Sequence, residues 1–488
     1  MSVFGVPVVD PVAARVVEGF PFHNAACIDG KLLGALWVLS QIRGVLPLVH
    51  GPVGCSWQRK CALMGPVVHY YVPCTNWSEF EVVYGGEGRL VEALVLAYER
   101  YRPDMIVVLT TCASDMVGDD VESAISEARR RGVKCPIVYS TGSSVGKTRQ
   151  VGSQDVLYSI VRQYVVPETE GVDVEERLVN LMVIGGEYGI GIRTELAELL
   201  RKCGAKVNKI YFTDVSVRDL LDLARAEMNV VPYTQVWANY LYETRGVKVH
   251  VLCRLEETDP SSAYPVGVEA CKRHLVEIVD KLGLRTDPEK VFYEFYSKEL
   301  ELLGKLRQRL QGRRVIVENP WGPEILLALE LGLKIVGVVY WTQQFKGHGI
   351  SDSAVKEMIR QTVDFLRSVT DEDVDVIVDE PLEQVIEKVK RRNPDLVLCG
   401  WWSRIYEYDR HGIRTLSLRR FHLFFDYSIR QLVKAGQTIL KIIEDEDYVN
   451  LRPIVPRTGS SLIDVQNLPE PFDKLTKLFY LNRYVCSA

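Results

Sequence analysis

The fold is decided by the stretch LVEALVLAYERYRPDMIVVLTTCASDMVGDDVESAISEARRRG, residues 90–132. Its centre, MIVVLTT at 105–111, is an apolar, β-branched run of strand length. Helical patterns occupy 90–103 before it and 119–132 after it, and a second short apolar run, PIVYS, follows at 136–140. Because strands that alternate with helices indicate βαβ units, this stretch predicts a parallel sheet.

The same alternation continues on both sides of this stretch. VLPLVHG at 45–51 reads as the preceding strand. The pattern restarts at LVNLMVIGG (178–186), after a polar segment at 165–177 that reads as a linker, and again at RRVIVEN (313–319), after a helical connector at 264–311. We therefore predict an α/β fold made of three similar units. The predicted divisions are 1–170 for domain I, 171–311 for domain II with the connector, 312–420 for domain III, and 421–488 for a tail that packs on the body.

Composition excludes several classes of protein. The chain has 488 residues, which is too long for one core, and a formal net charge of −5 without a basic run, which argues against a nucleic-acid partner. No apolar stretch is long enough to cross a membrane, and the first residues lack the pattern of a signal peptide. We therefore expect a cytoplasmic location. There the eleven cysteines, an odd number, are expected to be free thiols or ligands rather than disulfides.

Three cysteines end apolar segments in the first quarter of the chain: Cys27, Cys55 and Cys112. Because parallel strands end at one crevice, these thiols are expected to converge. Thiolates suit iron–sulfur clusters or zinc. No compact CxxC is present, so spacing alone leaves three buried structural cysteines as an alternative. A fourth ligand stays open between Cys74, a partner residue and water. His50 lies nearby and is expected to be a satisfied core histidine.

Two glycine-rich segments do not complete a nucleotide-binding motif. TGSSVGKT (141–148) has Thr141 where a phosphate-binding loop needs its first glycine, and we read it as a turn that approaches the cysteine site. GGEYGIG (185–191) does not have the G-x-G-x-x-G spacing of a dinucleotide site. ATP binding by this chain is therefore not expected.

Three segments together resemble the component 1 family of nitrogenases and nitrogenase-like reductases. They are CIDGKLLGALWVLSQIRGVLPLVHGPVGC (27–55), FEVVYGGEGRLVEAL (80–94) and MIVVLTTCASDMVGDDVESAI (105–125). The resemblance implies three Rossmann-like domains with parallel sheets and flanking helices. It also implies that Cys27, Cys55 and Cys112 bind the iron of an electron-entry iron–sulfur cluster at a subunit interface, preferably of the 4Fe–4S type and otherwise 8Fe–7S.

The resemblance implies partners as well. HGPVGC looks α-type, so we expect a related component 1 chain or a second copy of this one. Electrons are expected from a separate homodimeric iron protein that hydrolyses ATP, which agrees with the incomplete phosphate loop at 141–148.

This chain departs from true nitrogenases at the large cofactor. The family holds an iron–molybdenum cofactor with one cysteine in the second domain and one histidine in the third. The corresponding positions here are Tyr233 and Thr234, with Cys253 past the expected place, and Arg419 and Arg420, with His422 alignable only across a gap. Tyrosine and threonine are poor ligands for a soft cofactor, so a large molybdenum-type cofactor is not expected.

The main hypothesis is a nitrogenase-like oxidoreductase that reduces an organic substrate, a tetrapyrrole above all. Candidate substrate-cleft residues are Arg419, Arg420, His422, Cys399 and Trp401, because arginine forks and flat aromatic rings suit a planar polycarboxylate. No catalytic residue is assigned. The alternatives are a scaffold that matures a nitrogenase cofactor, a nitrogenase-type α chain with a larger iron–sulfur cofactor, and a structural paralogue without a cluster.

Overall fold

Three parallel α/β sheets follow one another along the chain. Their strands and helices come from a computed structural model, which describes residues 30–56, 72–143, 149–182, 190–211, 215–254, 263–320, 322–342, 352–370, 373–400, 405–418 and 428–445.

The first sheet has the order β2-β3-β4, and all of its strand pairs are parallel. Every residue of β3 is buried, as expected for a central strand covered on both faces. Alternate residues of β3 pack on opposite faces of the sheet: Val107 lies in the apolar cluster on one face and Val108 in the cluster on the other. The strands are β1 (Ile42–Arg43), β2 (Val45–His50), β3 (Met105–Thr110) and β4 (Ile137–Ser140). The helices are α1 (Lys31–Leu39), α2 (Glu79–Tyr84), α3 (Glu87–Tyr101), α4 (Cys112–Val117), α5 (Val121–Arg130) and α6 (Arg149–Ile160). Helix α6 continues as a π-helix (Val161–Val165) and a last turn (Val166–Glu168).

The second sheet has the order β6-β5-β8-β9. The predicted linker at 165–177 is wrong at both ends, because helix continues to Glu168 and β5 begins at Glu175. The first three residues of β5 are exposed to solvent, and this exposure explains their polar, loop-like sequence. The elements are β5 (Glu175–Met182), β6 (Lys206–Tyr211), β7 (Val215–Ser216), β8 (Ala226–Tyr233) and β9 (Lys248–Cys253), with helices α7 (Ile190–Lys202), α8 (Asp222–Arg225, preceded by a 3-10 turn) and α9 (Val236–Arg245).

The predicted helical connector forms three helices and leads to the third sheet, which has the order β12-β11-β10-β13-β14. The described part of the tail is a helix that packs on the last connector helix. The strands are β10 (Arg314–Glu318), β11 (Lys334–Tyr340), β12 (Asp375–Val378), β13 (Leu396–Cys399) and β14 (Thr415–Ser417). The helices are α10 (Val268–Lys281), α11 (Pro288–Phe295), α12 (Ser297–Leu310), α13 (Pro323–Glu330), α14 (Asp352–Val369), α15 (Leu382–Arg392), α16 (Ile405–Arg410) and α17 (Ile429–Glu444).

The three sheets share cores. One apolar cluster joins the first and second sheets and includes Val107 and Trp237, and another joins the second and third sheets and includes Val230 and Val317. A short parallel pair between β1 and β7 adds a backbone link, with Ile42 opposite Val215. Among the described helices, none is both long and apolar enough to cross a membrane.

Candidate metal centre

Cys55 and Cys112 lie just beyond the carboxyl ends of two neighbouring strands. The last pair of β2 and β3 is His50 opposite Thr110. After β2 the chain turns through Gly51 and Pro52 into one helical turn, and the backbone nitrogen of Cys55 donates to the carbonyl oxygen of Pro52 at 3.1 Å. Cys112 is the first residue of α4. Both side chains are half-buried. The structure thus brings these two predicted ligands to the same edge of the first sheet.

Cys74 reaches the same edge from a separate segment. It forms a parallel bridge with Val49, the residue before the end of β2, and it packs against the same apolar core as Cys55. Its thiol is half-buried, and burial raises its pKa. Cys74 therefore remains available as the fourth ligand that the sequence left open.

The described thiols are soft donors of the kind that iron–sulfur clusters and zinc take. In the described part of the chain, no three metal-binding side chains that include Cys55, Cys74 or Cys112 lie within 4.8 Å of one another. The Ser143 hydroxyl lies 3.6 Å from the Cys112 sulfur and can donate to it. As predicted, the segment that begins at Thr141 approaches the cysteine site. Half-buried thiols with a polar donor to sulfur suit a cluster edge.

The remaining sequence-predicted site residues fall in two groups. Cys399 is in the core: it is fully buried in an apolar cluster with Val397 and Tyr408. The expectation that it faces a substrate cleft is corrected, because its strand is covered on that side by packed side chains. Outside the described residues lie Cys27, Trp401, Arg419, Arg420 and His422.

A buried histidine–aspartate pair lies between the cysteine loops. His50 Nε2 is 2.8 Å from Asp119 Oδ2, and the two side chains are 0% and 3% exposed. The other ring nitrogen, Nδ1, lies 3.2 Å from the Thr75 hydroxyl. Burial lowers the pKa of His50, although Asp119 opposes that shift. His50 is thus a satisfied core histidine, as expected.

Sequence reasoning missed Asp119. The helical pattern predicted at 119–132 begins with Asp119, but the helix α5 begins at Val121 and is capped by Asp120, which accepts from the backbone nitrogen of Ser123 at 2.9 Å. Asp119 turns inward and accepts from the backbone nitrogen of Gly86 with both oxygens, at 3.1 and 2.9 Å. The doubled acid in GDD was the available signal, since one cap needs only one carboxylate.

Exposed apolar side chains surround this edge of the sheet. Phe80 and Tyr84 of α2 are 62% and 75% exposed, and Met116 of α4 is 86% exposed. Val53, beside Cys55, and Val83 are also exposed. Helices α2 and α4 contact each other. We call the exposed apolar side chains of these two helices, together with Val53, the apolar patch. Clustered apolar exposure of this kind is typical of a protein interface.

The positions that correspond to the family's second-domain cofactor ligand carry no soft donor. Tyr233, the last residue of β8, is buried, and burial raises its pKa to about 12 while the amides of Gln235 and Gln150 oppose the shift. Thr234 is exposed. Cys253 ends the neighbouring strand in register with Tyr233 but is fully buried in the core shared by the second and third sheets.

One further group could hold a metal ion by distance alone: His250, His274 and Glu277. His250 Nε2 and His274 Nδ1 are 3.0 Å apart and hydrogen-bonded. However, Lys281 Nζ lies 3.4 Å from the other ring nitrogen of His250, and Arg254 pairs with Glu277. A metal-bound histidine needs an acceptor at its second nitrogen, and two adjacent cations repel a metal ion. This group is therefore a buried polar network of the second domain.

The structure therefore has three parallel α/β units, with Cys55 and Cys112 just beyond the strand ends of the first. The family model for nitrogenase component 1 type oxidoreductases matches residues 31–419. The chain belongs to this family, as its sequence motifs indicated.

Two curated relatives illustrate the similarity. The chain is 28% identical over 318 residues to a nitrogenase iron-molybdenum cofactor biosynthesis protein NifE from Nostoc sp., a match that covers 62% of this chain and 63% of that protein. It is 26% identical over 421 residues to a nitrogenase molybdenum-iron protein alpha chain from Methanothermobacter thermautotrophicus, which covers 78% of this chain and 82% of that one.

The fold also matches a solved structure. The structure titled Nitrogenase Cp1 at pH 6.5 superimposes with a TM-score of 0.62 at 18% identity, and the match covers 88% of this chain and 95% of that chain. This likeness confirms the predicted fold class, an α/β protein with parallel sheets and flanking helices that has the architecture of nitrogenase component 1.

Proposed function

We propose that this chain is an α-type subunit of a nitrogenase-like reductase. It would receive electrons from an ATP-hydrolysing iron protein through an interface iron–sulfur cluster and reduce an organic substrate, a tetrapyrrole, in the cytoplasm. The observation that carries this proposal is the position of Cys55 and Cys112 at one edge of the first sheet, beside the apolar patch. A cluster held there would lie close to a partner surface.

The proposed ligands are Cys27, Cys55 and Cys112. When bound, an iron–sulfur cluster supplies one-electron transfer at low potential. The protein holds two of these thiols on short loops anchored at adjacent strand ends and places the Ser143 hydroxyl beside the Cys112 sulfur. Such anchoring fixes the sulfur positions before the metal arrives, which favours binding.

The apolar patch supports an oligomeric state. Side chains such as Met116 and Tyr84 expose most of their surface, and a second chain that covers them would gain about 25 cal/mol for each Å² of apolar area removed from water. We propose that the covering chain is a related component 1 chain or a second copy. The iron protein would dock on the assembled pair.

The substrate assignment rests on the missing soft ligand. Tyr233 is directed into the protein and Thr234 offers only a hydroxyl, so neither suits a large iron–sulfur cofactor. A small-molecule substrate in that region needs no such ligand. Arg419, Arg420, His422 and Trp401 remain the proposed contacts for a planar polycarboxylate.

A cofactor scaffold is the second candidate. It is favoured by the similarity to the NifE protein of Nostoc sp.. A scaffold would receive a preformed cluster and release it to another protein, whereas a reductase would keep its cluster through turnover.

Metal analysis separates these proposals. The chain is purified anaerobically with any bound partner, and iron, sulfide, molybdenum and vanadium are measured per protomer. A cluster shared at an interface gives about two to four irons per protomer and no heterometal, which supports the reductase. A clearly larger iron content supports the scaffold or a nitrogenase-type chain. A preparation without iron after reconstitution contradicts all three and leaves the cluster-free paralogue.

A further inference from the structure

Four separate chain segments meet at the His50–Asp119 pair. The carbonyl oxygen of His50 accepts from the Thr111 hydroxyl at 3.1 Å and from the Ser114 hydroxyl at 2.9 Å. Thr111 and Ser114 flank Cys112, so the end of β2 holds the start of α4. The residue after His50, Gly51, therefore packs directly against the Cys112 loop: a Cβ added there would lie 2.3 Å from the Thr111 hydroxyl oxygen.

The segment of Cys74 is tied to the same point. The Thr75 hydroxyl lies 3.2 Å from His50 Nδ1, and it accepts from the backbone nitrogen of Gly51 at 2.9 Å. Because that hydroxyl accepts from Gly51, its own hydrogen is free to be donated to His50 Nδ1. The neutral ring then carries its hydrogen on Nε2, which donates to Asp119. One tautomer thus satisfies every polar atom of the imidazole.

Asp119 links this point to the surface helices. It lies two residues after the end of α4, and its carboxylate accepts from Gly86 at the start of α3, just beyond α2. The side-chain pair therefore joins the end of β2, which leads to Cys55, to the segment that follows α4, to the Cys74 segment and to the start of α3. We call this pair the anchor. The Trp77 ring packs edge-on against His50 with a centroid distance of 5.1 Å and closes the anchor from one side.

We propose that His50 and Asp119 are positioning residues that hold the Cys55 and Cys112 loops in the relative arrangement that the cluster site requires. This role rests on the proposed cluster site for its purpose, but the anchoring itself is a property of the protein without metal. Neither side chain is a ligand in this proposal. Their effect on a cluster is exerted through the loops.

The first test uses the metal-free protein. Asp119→Asn keeps the size of the side chain but removes its charge and one acceptor. Because a buried hydrogen bond is lost, local opening of the loops should rise by about fivefold or more. We expect maleimide labelling of Cys55 and Cys112, followed by mass spectrometry, to become faster by that factor. His50→Gln should have the same effect, which covers the case in which one variant folds poorly.

The matched control is Asp115→Asn. Asp115 is exposed on α4, closer in sequence to Cys112, and it acts on His50 through its charge. Its replacement therefore removes the same charge from an exposed side chain. Labelling at the wild-type rate is expected. If Asp119→Asn and His50→Gln both label at the wild-type rate while retaining the wild-type melting temperature, the anchoring role is overturned whether or not the protein binds iron.

The second test uses the cluster-loaded protein. In Asp119→Asn, looser loops admit water and a negative charge is lost, so the midpoint potential of the cluster should become more positive and its EPR spectrum should broaden. Both changes should exceed those in Asp115→Asn. Equal shifts in the two variants would show a charge effect alone and overturn the positioning role. A wild-type protein that binds no iron would contradict the proposed function instead, while the labelling result would still decide the anchoring.

Discussion

His50 and Thr110 lie opposite each other as the last paired residues of β2 and β3. Because the two strands are parallel and end together, the segments that follow them begin at the same edge of the sheet. Each segment reaches a cysteine within five residues. Cys74 arrives beside the preceding residue, Val49. A register shift of one residue would displace the two loops relative to each other and turn the side chains of the shifted strand to the opposite face of the sheet.

The cysteine loops should be required for iron binding. Cys55→Ser and Cys112→Ser are each expected to lower iron per protomer well below the wild-type content, because a hydroxyl is a poor ligand for iron–sulfur clusters. Colorimetric iron and sulfide assays after anaerobic reconstitution measure this. Cys135→Ser is the control, since Cys135 is half-buried just before β4, at the opposite edge of the same sheet. Equal iron in all three variants would exclude the proposed ligands.

The apolar patch should control association. Met116→Asp and Phe80→Asp place a charge on a surface that a partner would cover, so the assembled species should decrease in light scattering while the melting temperature of the isolated chain stays unchanged. Tyr242→Asp, at an equally exposed position on α9 of the second domain, should leave the molar mass at the wild-type value. A wild-type molar mass in both patch variants would mean that the interface lies elsewhere.

Helices α1 and α6 should tolerate no added methyl group where they cross. A Cβ on Gly152 would lie 1.7 Å from the carbonyl oxygen of Lys31, and one on Gly34 would lie 1.8 Å from that of Arg149. Gly152→Ala should therefore destabilise the first domain by about 1–3 kcal/mol or more, lowering the urea midpoint. Gly304→Ala, on a part of α12 where a Cβ meets no atom, should raise stability by up to about 1 kcal/mol through helix propensity. Equal midpoints would refute the close crossing.

Stability should fall as the pH drops below about 6.5, the unperturbed histidine pKa. Burial lowers the pKa of His250 far below its usual value, with further contributions from His274, Lys281 and Arg254. The unfolded chain then binds more protons than the native protein in this range, so acid favours unfolding. Melting temperatures from about pH 8 to about pH 5 should show a shallower slope in His250→Gln. His411→Gln, at an exposed position, should keep the wild-type slope.

Local pattern predicted much of the regular structure. The strands β2 (Val45–His50) and β3 (Met105–Thr110) each differ from their predicted limits by one residue. Such strands are buried on both faces, so their apolar runs are continuous and easily recognised. The start of β5 was missed because its exposed end is polar, and the central position of β10 in its sheet is not encoded in any local pattern.

The candidate site, like the fold, could be predicted from the sequence only in part. The motifs HGPVGC and TTC…GDD indicated the family and the cysteines, because their residue types are needed where they stand. Asp119 was assigned to a helix start, since nothing in its neighbourhood along the chain shows that His50 and Gly86 surround it. Cys399 was expected at a cleft, and only packing by Tyr408 and Val397 places it in the core.

By itself, the sequence determined the α/β class, the three repeated units and the family, and it supplied the candidate thiol ligands, because these depend on residue type and period along the chain. The tertiary structure decided which segments share an edge of a sheet. It placed Cys74 beside the end of β2, joined His50 to Asp119 across 69 positions of sequence, and brought the helices of Phe80 and Met116 into contact. Those relationships follow from strand register and helix packing, which are set by burial of the whole core and not by any one segment.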